Sequence, residues 1–304
     1  MENIKNQFDF LTVYYANELA RKYSKLTLEE QKVLHLIFSQ IKPDEKNPTV
    51  FKLNKLDFFN KLELESEDRY NRYRKLIQGL IKKSYFEIKD IKGNETIGVV
   101  IHKAKWYKNE PYFEIFLDED FMPYLEQLVK IGYYTKVNLN SVLKLKSKHS
   151  LTLYKWLCSW TDESKLQSQR YITTKDLKEL FGLSIDDYVY NGKFNRAHFE
   201  RKTIKPAIGE IILKTDLAVS FKKNKKGNFV QNYEFIWTQK EENFKRDKKT
   251  KLILNKKINY EQNLTLGDKI DKVQTSTKNS ISQEQINHML NNIDKDNQVV
   301  FDKG

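Results

Sequence analysis

Arg196, Arg201, Lys202 and Lys205 lie in a stretch that is apolar on its opposite side, and Lys222, Lys223, Lys225 and Lys226 crowd around Gly227 just downstream. The guanidinium fork of arginine matches the O6/N7 edge of guanine, while the lysine ammonium is a compact point charge suited to phosphate. The chemistry expected of these residues is therefore recognition of a polyanion, with Arg201 the best base reader and the four clustered lysines adding affinity without specificity.

Two elements must position these groups. Phe199, Thr203, Ile204, Ala207, Ile208 and Ile211 share one side at helical spacing, and His198, Arg201, Lys202, Lys205 and Gly209 share the other. Two alternating strands follow, up to Trp237, joined by Lys222-Lys223-Asn224-Lys225-Lys226-Gly227. A basic helix leading into a Lys-tipped hairpin is the arrangement by which a winged helix holds duplex DNA, helix in the major groove and wing on phosphate. A solvated surface helix has the same amphipathicity, so the assignment draws on the rest of the chain. Pro206 interrupts the helical pattern, because an interior proline removes one hydrogen bond. Either the helix starts near Lys202 or it bends at Pro206.

The charge is unevenly spread. The formal net charge is +13 over 304 residues. Residues 1–134 carry 22 basic and 21 acidic groups, residues 135–240 carry 20 and 10, and residues 241–304 carry 12 and 10. A positive field concentrated in one segment implies a polyanionic partner, whereas a general lysine bias would raise the charge evenly. The single cysteine, Cys158, sits among Leu153, Trp156, Leu157 and Trp160 and suits a reducing compartment. The start, MENIKNQFDF, has no apolar signal core, and no apolar run is long enough to span a bilayer, so a cytoplasmic protein without a membrane partner is expected.

Catalytic motifs are missing. No Gly-x-x-x-x-Gly-Lys-Ser/Thr loop is present. His35, His102, His149, His198 and His288 are too scattered for a His-x-His metal pair, and one cysteine cannot build a zinc site. Asp118-Glu119-Asp120 and Asp186-Asp187 read as a helix start and a loop, not as a metal nuclease site. The expectation is binding without catalysis, metal or cofactor.

Several pieces recur in order. Arg74 to Ile81 aligns with Arg201 to Ile208, and Phe51 to Phe59 with Tyr171 to Glu179. Upstream of each lies a longer helix, over residues 28–41 and 147–160, and downstream a strand–turn–strand. In the first half that hairpin is expected at residues 85–90 and 96–101, with residues 111–117 an extra strand and 118–128 a helix. Helix, strand, helix, helix, hairpin is the winged-helix order, and a period above 100 residues means duplicated domains. The fold class expected is α+β: two tandem winged-helix domains, residues 1–134 and 135–240, joined near residues 132–138 by a short connection. After them, residues 241–304 are polar and expected to be largely disordered, with helical periodicity only over 281–293.

The segments Leu26 to Lys32, Tyr70 to Lys83, Leu143 to Tyr154, Asp176 to Gly182 and Arg201 to Glu210, taken in order, resemble plasmid replication initiator proteins of the iteron-binding, two-winged-helix kind. The resemblance spans most of residues 10–240 and stops near Trp237. It implies binding to double-stranded direct repeats at an origin as a monomer, help in opening adjacent DNA, and recruitment of host initiator, helicase or primase proteins. It also implies a homodimer in equilibrium with the monomer, formed through the first domain, that represses its own promoter. The wing tip has lysine where many relatives have arginine, which keeps phosphate binding and disfavours bidentate base contacts there. The candidate DNA contacts are Arg196, Arg201, Lys202, Lys205 and the four wing lysines. Lys146 and Lys148 join them from the most recognisable run, and Arg72 and Lys75 from the first domain's third helix. The alternative is a winged-helix transcriptional regulator, which would prefer an inverted repeat; a scattered nuclease site and an acidic-protein scaffold are the further rivals.

Overall fold

The computed structural model describes residues 12–21, 25–43, 45–63, 68–89, 95–126, 128, 134–227 and 229–240. The segment 241–304, expected to be disordered, lies outside the described residues, as does the turn expected at Lys92-Gly93-Asn94. The first half runs β1 (Thr12–Ala16), α1 (Asn17–Arg21), α2 (Leu28–Phe38), β2 (Val50–Asn54), α3 (Lys55–Lys61), α4 (Arg69–Lys83), β3 (Tyr85–Lys89), β4 (Glu95–Val99), β5 (Ile101–Trp106), β6 (Tyr112–Leu117) and α5 (Pro123–Glu126). The second runs β7 (Tyr134–Asn138), α6 (Leu139–Lys144), α7 (Lys148–Cys158), β8 (Ser168–Thr173), α8 (Thr174–Leu180), β9 (Val189–Tyr190), β10 (Lys193–Phe194), α9 (Arg196–Phe199), a π-helical turn (Glu200–Ile204), α10 (Lys205–Lys214), β11 (Leu217–Lys226) and β12 (Phe229–Gln239).

Helix starts follow from short polar side chains placed to satisfy free backbone N–H groups, each worth about 1 kcal/mol. Thr27 and Glu30 form a full capping box at α2, with the Glu30 carboxylate accepting from Thr27 N–H at 2.7 Å. Asn54 accepts from Asp57 N–H to start α3, and Thr173 accepts from Asp176 N–H to start α8. These caps correct the repeat alignment by one residue: Asn54 corresponds to Thr173, and so Lys52 corresponds to Tyr171. Asp68 and Asn195 likewise cap the two third helices, which keeps the Arg74–Arg201 correspondence.

The first domain's sheet differs from expectation. The strand predicted over residues 96–101 is broken at Val100: β4 pairs only with β3, and β5 is a new strand paired with β6. The three-stranded sheet has the order β2-β6-β5, and its counterpart in the second half has the order β8-β12-β11. By topology the wing equivalent of the first domain is therefore β5–β6, and the added material is the β3–β4 hairpin. The reason is local burial. β6 alternates outward and buried residues, with Phe113, Ile115 and Leu117 fully buried, which suits a central strand. Phe113 packs edge-on against Phe58 of α3 at 5.0 Å and Tyr73 of α4 at 4.7 Å, so the strand is anchored to both helices.

The supposed connection is also structured. Tyr134–Asn138 is a strand, and it pairs antiparallel with β1 from Thr12↔Asn138 to Ala16↔Tyr134. The described residues fall into two compact units: everything up to Thr161 together with Ile172–Thr215, and Asp162–Tyr171 together with everything from Asp216. The second half's helices belong to the first unit and its hairpin sheet to the second.

In the first unit, α2 and α4 meet at Gly79, where a Cβ would come within 1.8 Å of Glu30 Oε1. Glu30 is held there by its own capping box and by Lys83 Nζ at 2.6 Å. Gly79→Ala, which would stabilise an open helix by its higher propensity, is expected instead to destabilise the protein by about 1 kcal/mol through the displaced cap. A urea midpoint equal to or above wild type would contradict this.

Candidate nucleic-acid interface

The proline puzzle is answered by a third arrangement. The chain is helical from Arg196 through Lys214, and immediately before Pro206 it widens into a π turn in which Lys205 N–H bonds back to Glu200 C=O. Pro206 cannot donate, and in an α-helix its ring would press on the carbonyl four residues earlier. Widening that turn relieves the clash without ending the helix. Thr203, whose hydroxyl donates to Phe199 C=O at 2.6 Å, ties the turn from its buried side. Arg201 and Lys202 occupy this turn and are exposed, while Phe199, Thr203, Ile204, Ala207, Ile208 and Ile211 are buried as the periodicity requires. Lys205 is half-buried.

Arg196 stands at the helix entrance, as expected, but its side chain is partly buried. Its guanidinium lies 5.7 Å from the Phe194 ring, and its Nε is buried without a hydrogen-bond partner among the described residues.

The structure also places a pair that the sequence reading passed over. His198, capped onto Asn195 through its backbone N–H, shares a 3.0 Å hydrogen bond between its Nδ1 and the Tyr190 hydroxyl, and the two rings stack at 5.8 Å. Tyr190 sits on the β9–β10 hairpin, whose two-residue turn has Asn191 at φ 50° and Gly192 at φ 73°. Asn-Gly between extended residues is a strong hairpin signal, so the sequence did carry the clue.

In the second unit, β11 and β12 form the hairpin, with a register shift between Asn224 and Lys225 and a left-handed Gly227 (φ 59°) at the turn. The strands run further toward the tip than expected. Lys222 and Lys223 are strand residues opposite Glu234 and Tyr233, and Lys222 Nζ lies 3.6 Å from Glu234. Lys225 and Lys226, paired with Val230 and Phe229, end the strand beside the turn, and all four lysines are exposed.

The remaining candidates are partly engaged elsewhere in the first unit. Arg72 pairs with Glu29 of α2 at 2.5 Å, while Lys75 is exposed. Lys146 is exposed and pairs with Glu63. Its backbone N–H and that of Ser147 are held by the Glu210 carboxylate at 2.7 and 3.1 Å. That contact fixes the start of α7 against α10. Lys148 is half-buried. Among the described residues there is no cluster of three or more potential metal ligands, and no helix is long and apolar enough to cross a membrane.

Two successive halves of winged-helix order, with an exposed Arg-Lys pair on the third helix of the second half, define a nucleic-acid-binding class of protein. The sequence profile described as initiator replication protein, WH1 matches residues 12–158, and that described as initiator Rep protein, WH2 matches residues 173–237. The chain belongs to this initiator replication protein family. Among solved structures, the crystal structure of Pi initiator protein in complex with iteron DNA shares its fold. It matches at 20% identity and a TM-score of 0.64, over 76% of this chain and 98% of that one. No curated protein matches the chain significantly.

Proposed function

We propose that this chain initiates plasmid replication by binding direct repeats in double-stranded origin DNA. The observation that carries the proposal is the exposed Arg201–Lys202 pair on a π-widened third helix, in a chain that belongs to an initiator family. In this proposal Arg201, Lys202 and Lys205 enter the major groove, Arg196 and His198 lie at its edge, and the wing lysines follow phosphate. Lys146, Lys148, Arg72 and Lys75 add secondary backbone contacts. Each domain would supply one part of this work, residues 1–134 the self-association and secondary contacts and residues 135–240 the main grip. Opening of adjacent DNA, recruitment of host initiator, helicase or primase proteins, and promoter repression by a dimer belong to the same proposal, as does binding without catalysis in the cytoplasm.

Fluorescence anisotropy at near-physiological salt tests it, comparing duplex direct repeats from beside the coding sequence with a scrambled duplex. A preference of about a thousandfold or more is expected. Equal, steeply salt-dependent binding to both would leave only a general polyanion surface. Preference for an inverted repeat would favour the transcriptional regulator.

The wing makes a graded prediction. Lys225→Ala is expected to weaken binding to every duplex alike and to flatten the salt slope by about 0.9. Lys222→Ala should change it less, because Lys222 is already drawn toward Glu234. A larger effect at Lys222 than at Lys225 would show that the tip is not the part on the phosphates.

A further inference from the structure

The outer face of the β2-β6-β5 sheet has a chemistry that the duplex-binding elements do not use. β6 turns Tyr112, Glu114 and Phe116 outward, since Phe113, Ile115 and Leu117 are buried. The register sets Lys103 of β5 opposite Phe116, and Lys52 and Lys105 on either side of Glu114. Every lysine lies on a ring: Lys103 is 4.1 Å from the Phe116 centroid, Lys52 is 4.9 Å from Tyr112, and Lys105 is 4.6 Å from Tyr107. The three lysines are exposed, and the carboxylate among them is nearly enclosed, accepting from the Tyr107 hydroxyl at 2.7 Å. In a domain whose total charge nearly cancels, this face alternates flat apolar rings with three lysines against one carboxylate, Glu114, which lies 4.0 Å from Lys52 Nζ, so its net charge is positive.

The fold does not require those rings. The second half's sheet has the same strand order and a matching central glutamate, Glu234, flanked by Tyr171 and Lys222. It carries Asn232, Ile236 and Ser220 where the first has Tyr112, Phe116 and Lys103. Aromatic rings on a sheet face, interleaved with lysine, suit one ligand class above others: unpaired bases stack on the rings while the backbone phosphates meet the ammonium groups. Duplex DNA fits poorly, because its bases are already stacked on each other. The lysines that cover the rings are weakly held. A cation over a ring at an exposed site is worth about two- to fivefold in an equilibrium, against about five- to 150-fold for a base stacked on it. A base would therefore displace the ammonium, which stays within reach of the adjoining phosphate.

We propose that this sheet face binds single-stranded DNA, with Phe116 and Tyr112 as stacking platforms and Lys52, Lys103 and Lys105 as phosphate contacts. The choice of DNA over RNA rests on the initiator reading; the platform itself does not.

The test uses the full chain and anisotropy with labelled oligo(dT) of about 16 nucleotides, long enough to fill one such site. The direct-repeat duplex and oligo(rU) of the same length run in parallel. Phe116→Ala and Tyr112→Ala are each expected to weaken oligo(dT) binding by about fivefold or more, with duplex binding unchanged. Lys103→Glu, which alters only an exposed side chain, is expected to weaken it too and leave thermal unfolding as in wild type. Photo-cross-linking of a bromodeoxyuridine oligonucleotide should map to β6. Wild-type affinity in all three variants would overturn the proposal, and so would equal or tighter binding of oligo(rU). A dimer that dissociates on Phe116→Ala, with no oligo(dT) binding, would assign the face to a second copy instead. Oligo(dT) binding that depends on Phe116 in a protein that ignores direct repeats would uphold the platform and remove the initiator reading.

Discussion

Replacing Arg201 with alanine is expected to lower affinity for the cognate direct repeat by about 1–3 kcal/mol, while leaving affinity for scrambled duplex nearly as it was. The argument rests on how little else Arg201 does. Its side chain is exposed on the π turn and has no ion pair among the described residues. Arg72 of the first domain, by contrast, is already committed to Glu29. A free guanidinium keeps its fork available for a guanine edge, where a bidentate contact discriminates between bases. Arg201→Lys sharpens the test, since it retains the charge and loses the fork. It should keep the salt dependence of wild type and lose most of the preference. Competition titrations with cognate and scrambled duplexes read both quantities. An equal loss on the two sequences would reassign Arg201 to the phosphates.

Acid should unfold this protein earlier than its carboxylates alone would dictate, and His35 is the reason. Its ring is buried in α2, with Nδ1 2.6 Å from Gln31 C=O and Nε2 3.4 Å from the Tyr15 hydroxyl. Burial and the neighbouring Lys155 ammonium push its pKa down to about 3 from the usual 6.5, against a smaller raising effect of the Gln31 carbonyl. A neutral imidazole that donates from Nδ1 to the carbonyl satisfies this geometry. The unfolded chain takes up a proton at His35 below pH about 6.5 and the folded chain does not, so stability is lost as pH falls. The loss reaches about 2 kcal/mol at pH 5 and about 4 kcal/mol near pH 3, where it levels off.

Lys155 acts on the other side of neutrality. It is buried, donates to Gln31 Oε1 at 3.0 Å, and has its pKa lowered to about 8, first by burial and then by Lys148. The cost of keeping it charged is fully present below pH 8 and is relieved as pH rises toward 10.5, so it does not shape the acid limb. Urea unfolding of wild type and His35→Phe between pH 7 and 4.5 would decide the matter. The variant should lose the slope whatever its stability at pH 7. An unchanged slope would exclude His35 as the acid trigger.

Much of the architecture was legible because it rests on local rules. Period-3.6 burial marks α4 and the third helix of the second domain, polar caps mark the starts of α2 and α7, which are buried nearly all round, and the apolar–polar alternation in the sequence of β11 and β12 marks the hairpin. The failures share a cause as well. β1 and β7 find each other across more than a hundred residues, and β5 pairs with β6 and not with β4, choices made by tertiary burial that no window of sequence contains. Val100 shows how fine the decision is. Ile97, Val99, Val100 and Ile101 read as one apolar strand, yet the chain breaks at Val100 and sends its two sides to different sheets. At the interface, the residue types that meet DNA in our proposal were readable from charge and period. What each had already spent on a neighbour was not: Arg72 on Glu29, Lys146 on Glu63, and Lys222 near Glu234. Those partners come from other elements, and only the fold supplies them.

The pairing of β1 with β7 bears on how the chain is made. Thr12 leaves the ribosome early, but its partner Asn138 is delivered only after the whole first domain has been translated. Until then β1 has no partner strand, and Val13 and Tyr15, both buried in the finished protein, lack the strand that will pair with theirs. At roughly 5–20 residues per second, that interval lasts seconds to tens of seconds. A nascent chain stalled after residue 128 would thus carry an open apolar edge. Emergence of the next ten residues, through Asn138, would close it, so translation through β7 is the step at which the first half becomes safe from association with its neighbours on the same message.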